Sequence, residues 1–136
     1  MSDISDIRVS IPRDAESILL KIIEDTIKSQ YGEAMLCSLR SYIGVKGNGK
    51  KLTELLLHDP IKLVNILTEF LGGSKEDALR FIATLLKGAY DHLKETPELS
   101  VDEAVDNLRR GNSEDIIRII LELAYKIMIK SIRPVL

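Results

Sequence analysis

Glu114, Arg118, Glu122, Lys126 and Lys130 recur every four residues, and almost everything between them is apolar. Ile116, Ile117, Ile119, Ile120, Leu121, Leu123, Ala124, Ile127, Met128, Ile129 and Ile132 leave room for only a narrow polar stripe. Spacing of four sets such a stripe along one side of an α-helix, and its first four members alternate in sign as self-pairing neighbours would. A helix on the outside of a monomer needs an apolar arc of roughly 100°. This one is apolar over far more, so it is either the central helix of a domain or half core and half subunit interface. The two readings weigh evenly, and the second makes Ile119, Leu123 and Ile127 candidate interface residues of a homo-oligomer, most simply a dimer. With three interrupting charges the run does not suit a membrane span.

Helical spacing continues through the rest of the chain, and no segment sustains the alternation of a strand. Start and stop signals divide it. Pro12 suits a first turn, and a helix over 13–31 carries Ile18, Leu19, Ile22, Ile23, Thr26 and Ile27 as its apolar stripe, ending at Gly32. A second helix runs over 33–43, with Gly44 as the stop. A short third covers 51–58, and Asp59 caps a fourth that starts at Pro60 and runs to Leu71. Ser74 with Asp77 opens a fifth to about Lys94, Ser100 with Glu103 opens a sixth ending at Gly111, and Ser113 caps the last, 113–132, which Pro134 stops. Gly88 lies inside the fifth helix and marks a close helix contact, since a mid-helix glycine costs about 1 kcal/mol against alanine. The expected fold is all-α: a compact single-domain bundle of six or seven helices over 13–136, with 1–12 as a partly flexible arm.

Composition limits the partners. With 136 residues, 45% of them hydrophobic, no Trp and a net charge of −2, the chain makes one domain with an aliphatic core, not a general polyanion binder. One cysteine, Cys37, forms no internal disulfide and reads as a buried, inert thiol in a reduced, cytoplasmic setting. The opening MSDISDIRVS lacks a basic-then-apolar leader pattern. Abundant Ile, few Asn and Gln, and charges of both signs lean towards a thermophilic source.

One motif invites chemistry. GVKGNGKK, Gly44 to Lys51, fits G-x-x-x-x-G-K with Lys51 where a phosphate-binding loop wants Ser or Thr. The preceding SLRSYI continues a helical pattern, and no room exists for a parallel sheet. Nucleotide hydrolysis is therefore not the expectation. The loop is nonetheless locally basic: Arg40, Lys46, Lys50 and Lys51 fall between Glu33 and Glu54 with no acid among them. They are the candidate residues for contact with an anion or a nucleic-acid backbone, although no aromatic in the loop could stack on bases. His58 and His92 stand alone on separate helices and suggest no metal site. No Ser–His–acid or Cys–His pattern suggests a nucleophile, so no catalytic residue and no cofactor is expected. A pocket among Ile and Leu side chains for an apolar ligand is compatible with an aliphatic bundle.

Tyr31-Gly32, followed by DPIKLVNILTEFLGGSKEDALRFIATLLKGAYDHL at 59–93, resembles the Nitrososphaera output-domain type, a family of small helical modules in archaeal signalling and regulatory proteins. The shared look is an early helix ending in Tyr-Gly, a Pro-started helix ending with Phe before glycine, and a closing helix; it covers about 15–93. The resemblance implies a regulatory, protein-interaction module and not an enzyme. Together these readings make a non-enzymatic, self-associating interaction module the leading expectation. Anion or nucleic-acid binding at 44–51 is the second, and carriage of an apolar small ligand the third.

Overall fold

A computed structural model describes residues 12–132, which form seven helices and no strand. They are α1 (Arg13–Tyr31), α2 (Glu33–Lys46), α3 (Leu52–His58), α4 (Pro60–Phe70), α5 (Lys75–Leu93), α6 (Val101–Arg109) and α7 (Glu114–Ile132). The expected arm falls almost wholly on residues 1–11, outside the described residues, as does Pro134.

The helix starts follow the sequence closely. Asp59 Oδ1 accepts the Lys62 N–H at 3.2 Å, and Pro60 follows it as the first residue of α4. Ser74 Oγ and Ser100 Oγ accept the N–H groups of Asp77 and Glu103, each at 3.2 Å. Ahead of α7 it is Asn112 Oδ1 that accepts, taking the Glu114 N–H at 3.0 Å. Each such bond satisfies one of the donors a helix start leaves orphaned.

α1, α5 and α7 touch one another and make the centre. α2 lies on α1, and α4 bridges α2 and α5. α3 is wedged against α7 and α1, and α6 closes the side formed by α5 and α7. One aliphatic cluster draws on all seven helices, with Phe81 and Tyr90 its only fully buried aromatics. The other rings sit at the margins: Tyr31 lies 5.0 Å from Phe81, and Tyr42 lies 5.3 Å from Phe70, between ring centroids.

α7 is the core helix of the single chain. Ile116, Ile119, Ile120, Leu123, Ala124 and Ile127 are buried, and Ile117, Leu121, Met128 and Ile129 are half-buried. The expectation that Ile119, Leu123 and Ile127 form a subunit interface is therefore corrected: they are 0%, 0% and 4% exposed in one copy. Four neighbouring helices, α1, α3, α5 and α6, surround α7, and that is why it is apolar over so wide an arc. The over-wide surface that suggested a dimer is absorbed by the fold. The polar stripe is not self-paired either. Lys126 and Lys130 both reach Glu95, in the α5–α6 connection, at 3.1 and 3.0 Å, while Glu122 accepts from the Tyr90 hydroxyl. No helix of the described residues is long and apolar enough to cross a membrane.

Candidate functional site

α2 runs one turn further than its glycines suggested, through Gly44 to Lys46. Gly47 follows as the C-cap, and close packing keeps it a glycine: a Cβ there would lie 2.7 Å from Ile43 O and 3.2 Å from Leu55 Cδ1. Asn48 and Gly49 take positive φ, 57° and 84°, and the chain doubles back. The turn consumes its own amides. Gly47 N–H donates to Ile43 O at 2.7 Å, Gly49 N–H to Gly44 O at 2.7 Å, and Lys50 N–H to Gly47 O at 3.1 Å. The Lys51 N–H donates to the Glu54 carboxylate at 2.7 Å. A phosphate loop works by pointing free amides at its ligand. Here they are committed to the fold, so GVKGNGKK is a helix-ending turn and not an anion cradle.

The basic residues divide into two pairs. Arg40, on α2, meets Glu24, on α1, through two hydrogen bonds of 3.2 and 3.0 Å. That bidentate contact, more than the charge of Glu24 itself, raises the guanidinium pKa above its ordinary value. Lys46 lies 3.7 Å from Glu69 of α4 and 5.8 Å from the centre of the Tyr42 ring. The Tyr42 hydroxyl donates to the same Glu69 carboxylate. This bond, with Lys46 behind it, holds Glu69 below the usual carboxylate range and pushes the Tyr42 phenol up. Lys50 and Lys51 are exposed, and neither ammonium has an ion-pair partner among the described residues. The expected four-residue basic contact thus reduces to two free cations, because Glu24 and Glu69 arrive from other helices. A nucleic-acid backbone laid across all four would also meet those two carboxylates.

Beside the free lysines is a groove of about 360 Å³ between α1, α2 and the turn. Leu20, Ile27, Leu36, Leu39, Ile43 and Leu52 form its apolar floor, and Glu24, Arg40, Gly44, Gly49, Lys50 and Lys51 its rim. Gly44 is the unexpected member. It is helical, yet a Cβ built on it meets nothing within 4 Å. At Gly88, by contrast, a Cβ would strike Thr26 Cγ2 at 2.7 Å and Thr26 Oγ1 at 2.8 Å, so that glycine is the close helix contact its position suggested.

The remaining candidates do not converge. His58, His92 and Cys37 are exposed, which corrects the expectation of a buried thiol. No group of three or more His, Cys, Asp and Glu stands close enough to hold a metal among the described residues. A second polar cluster, invisible as a motif, joins α5 to α7: Tyr90 donates to Glu122 Oε1, and Glu122 Oε2 is buried without a hydrogen-bond partner.

Fold and site together define a small all-α bundle with an apolar-floored, cation-rimmed groove beside a closed glycine turn. Comparison with family models, curated proteins and solved structures finds nothing that matches the chain.

Proposed function

We propose that this chain is a non-enzymatic interaction module of the regulatory kind, and that it docks an apolar group of its partner in the groove between α1, α2 and the 44–52 turn. The observation that supports this reading is Gly44. Gly44 lies in the last turn of α2, two residues before its end at Lys46, and a glycine inside a helix costs up to about 1 kcal/mol against alanine. At Gly88 that cost has an internal reason in Thr26, whereas at Gly44 no atom of the described chain takes the vacated space. Close approach by a bound molecule is a general use of such a position. The likeness of Tyr31-Gly32 and 59–93 to archaeal signalling modules points to the same class, and a cytoplasmic setting goes with it.

The test is a neutral, environment-sensitive apolar dye. The native protein is expected to bind it saturably with a blue-shifted emission, and Gly44→Leu, which fills the groove, is expected to abolish the signal without loss of helical content. Unchanged dye binding in that variant rules the groove out as the docking surface.

A further inference from the structure

The groove's volume and rim narrow what enters it. A space of about 360 Å³ lies at the small end of ligand pockets, roughly 300–1,000 Å³, which suits a short chain with a small head group.

The rim selects the sign of the head. Three cations, Arg40, Lys50 and Lys51, stand around the mouth with one acid, Glu24. Glu24 is already held by Arg40 in a two-bond contact. The two lysine ammonium groups are left to act on whatever sits between them and the floor. The turn's backbone donors are spent, so the head meets the mobile point charges of lysine and no fixed amide cradle. A carboxylate suits that arrangement. The floor of Leu20, Leu36, Leu39 and Leu52 offers an apolar tail nothing to hydrogen-bond.

We propose that the groove binds a free single-chain amphiphile with a carboxylate head, its tail over Gly44 and the leucine floor and its head between Lys50 and Lys51. This rests on the groove being a docking surface, as proposed above, and takes its occupant to be a small ligand that competes with a partner's apolar group for the same floor.

Isothermal titration with three ten-carbon probes, decanoate, decanol and decyltrimethylammonium, each below its micelle concentration, separates the two ideas. Decanoate is expected to bind saturably at one site and more tightly than decanol, with the ammonium probe weakest. In Lys50→Gln/Lys51→Gln, decanoate is expected to lose about tenfold or more in affinity while decanol is unchanged, the latter showing that the groove is intact. Equal affinity for decanoate and decanol, or decanoate binding insensitive to the double substitution, overturns the carboxylate proposal and leaves the apolar groove standing. No binding of any probe overturns both. Lysine-dependent sedimentation with anionic vesicles, without decanoate binding, likewise overturns it in favour of a membrane surface.

Discussion

Thr26 of α1 occupies the space that a side chain at Gly88 of α5 would need: a Cβ there would lie 2.7 Å from Thr26 Cγ2. Thr26 cannot easily turn aside, because its side chain is β-branched and its hydroxyl donates to Ile22 O at 3.1 Å. Gly88→Ala is therefore expected to destabilise the fold by about 1–3 kcal/mol, the usual cost of overpacking, although helix propensity alone favours alanine by about 1 kcal/mol. Thr26→Ala/Gly88→Ala should recover much of the loss. Urea denaturation midpoints decide it, and a neutral or stabilising Gly88→Ala would show that α1 and α5 do not depend on this contact.

Gly44 should respond with the opposite sign. Alanine there keeps the helix and meets no neighbour, so Gly44→Ala is expected to stabilise by about 0.5–1 kcal/mol. The same substitution narrows the groove and should weaken binding of decanol or a neutral apolar dye. A variant more stable yet poorer at binding is the signature of a position kept open for a ligand. If Gly44→Ala gains stability and binds as well as before, the glycine has no such role.

These two glycines mark where the sequence was legible and where it was not. Gly88 sits amid a clean helical pattern, so its reason had to be tertiary and close contact was the natural inference. Gly44 shares eight residues with Gly47 and Gly49, any of which could stop a helix. Which one does is set by the turn after Lys46, where Asn48 and Gly49 take positive φ, while Leu55 from the next helix leaves no room for a side chain at position 47. The width of the apolar arc on α7 was readable because periodicity is local. Whether that arc meets core or a second copy was not, because it depends on how many helices surround it. The basic lip failed for the same reason: Glu24 lies a helix away from Arg40 in sequence, and nothing linear announces their pairing.

α7 gives a direct test of core against interface. Ile119 and Leu123 are fully buried, and an unpaired carboxylate placed there has no counter-charge. Ile119→Glu and Leu123→Glu are each expected to unfold the chain or cost more than about 4 kcal/mol. Circular dichroism and sedimentation report the outcome. Well-folded monomers produced from a dimeric parent would return these positions to an interface.

Tyr90 and Glu122 form the most sheltered polar contact between α5 and α7. Tyr90→Phe removes the donor and leaves Glu122 Oε1 only the Glu98 N–H at 3.5 Å, with Oε2 already lacking a partner. A loss of about 1–3 kcal/mol is expected, and Tyr90→Phe/Glu122→Met should be more stable than Tyr90→Phe. The pair also sets an alkaline limit. Burial, then the bond to Glu122, holds the phenol pKa above its ordinary 10.0. A pKa raised by folding means stability that is complete below pH 10 and is lost as pH climbs beyond it. Urea midpoints should therefore fall above pH 10 in the native chain, and Tyr90→Phe should lack that part of the decline. Parallel declines in both proteins would assign the alkaline limit to other groups.

Glu95 sets part of the acid limit. It accepts from Lys130 and Lys126 at 3.0 and 3.1 Å, and these bonds, Lys130 first, hold its pKa below the ordinary 4.5. A carboxylate depressed by folding contributes stability that is complete above its unfolded pKa and is lost as pH falls through the lower folded value. Glu95→Gln is thus expected to be less stable than the native chain near pH 7, with a gap constant down to about pH 5 and closing below about pH 4. Comparing the two proteins cancels the acid loss contributed by Glu69 and Glu76, whose pKa values are also depressed. Added salt should shrink the gap at pH 7 in part, because the contact is partly open to solvent. A gap that persists unchanged at pH 3 would show that Glu95 acts through packing and not through its charge.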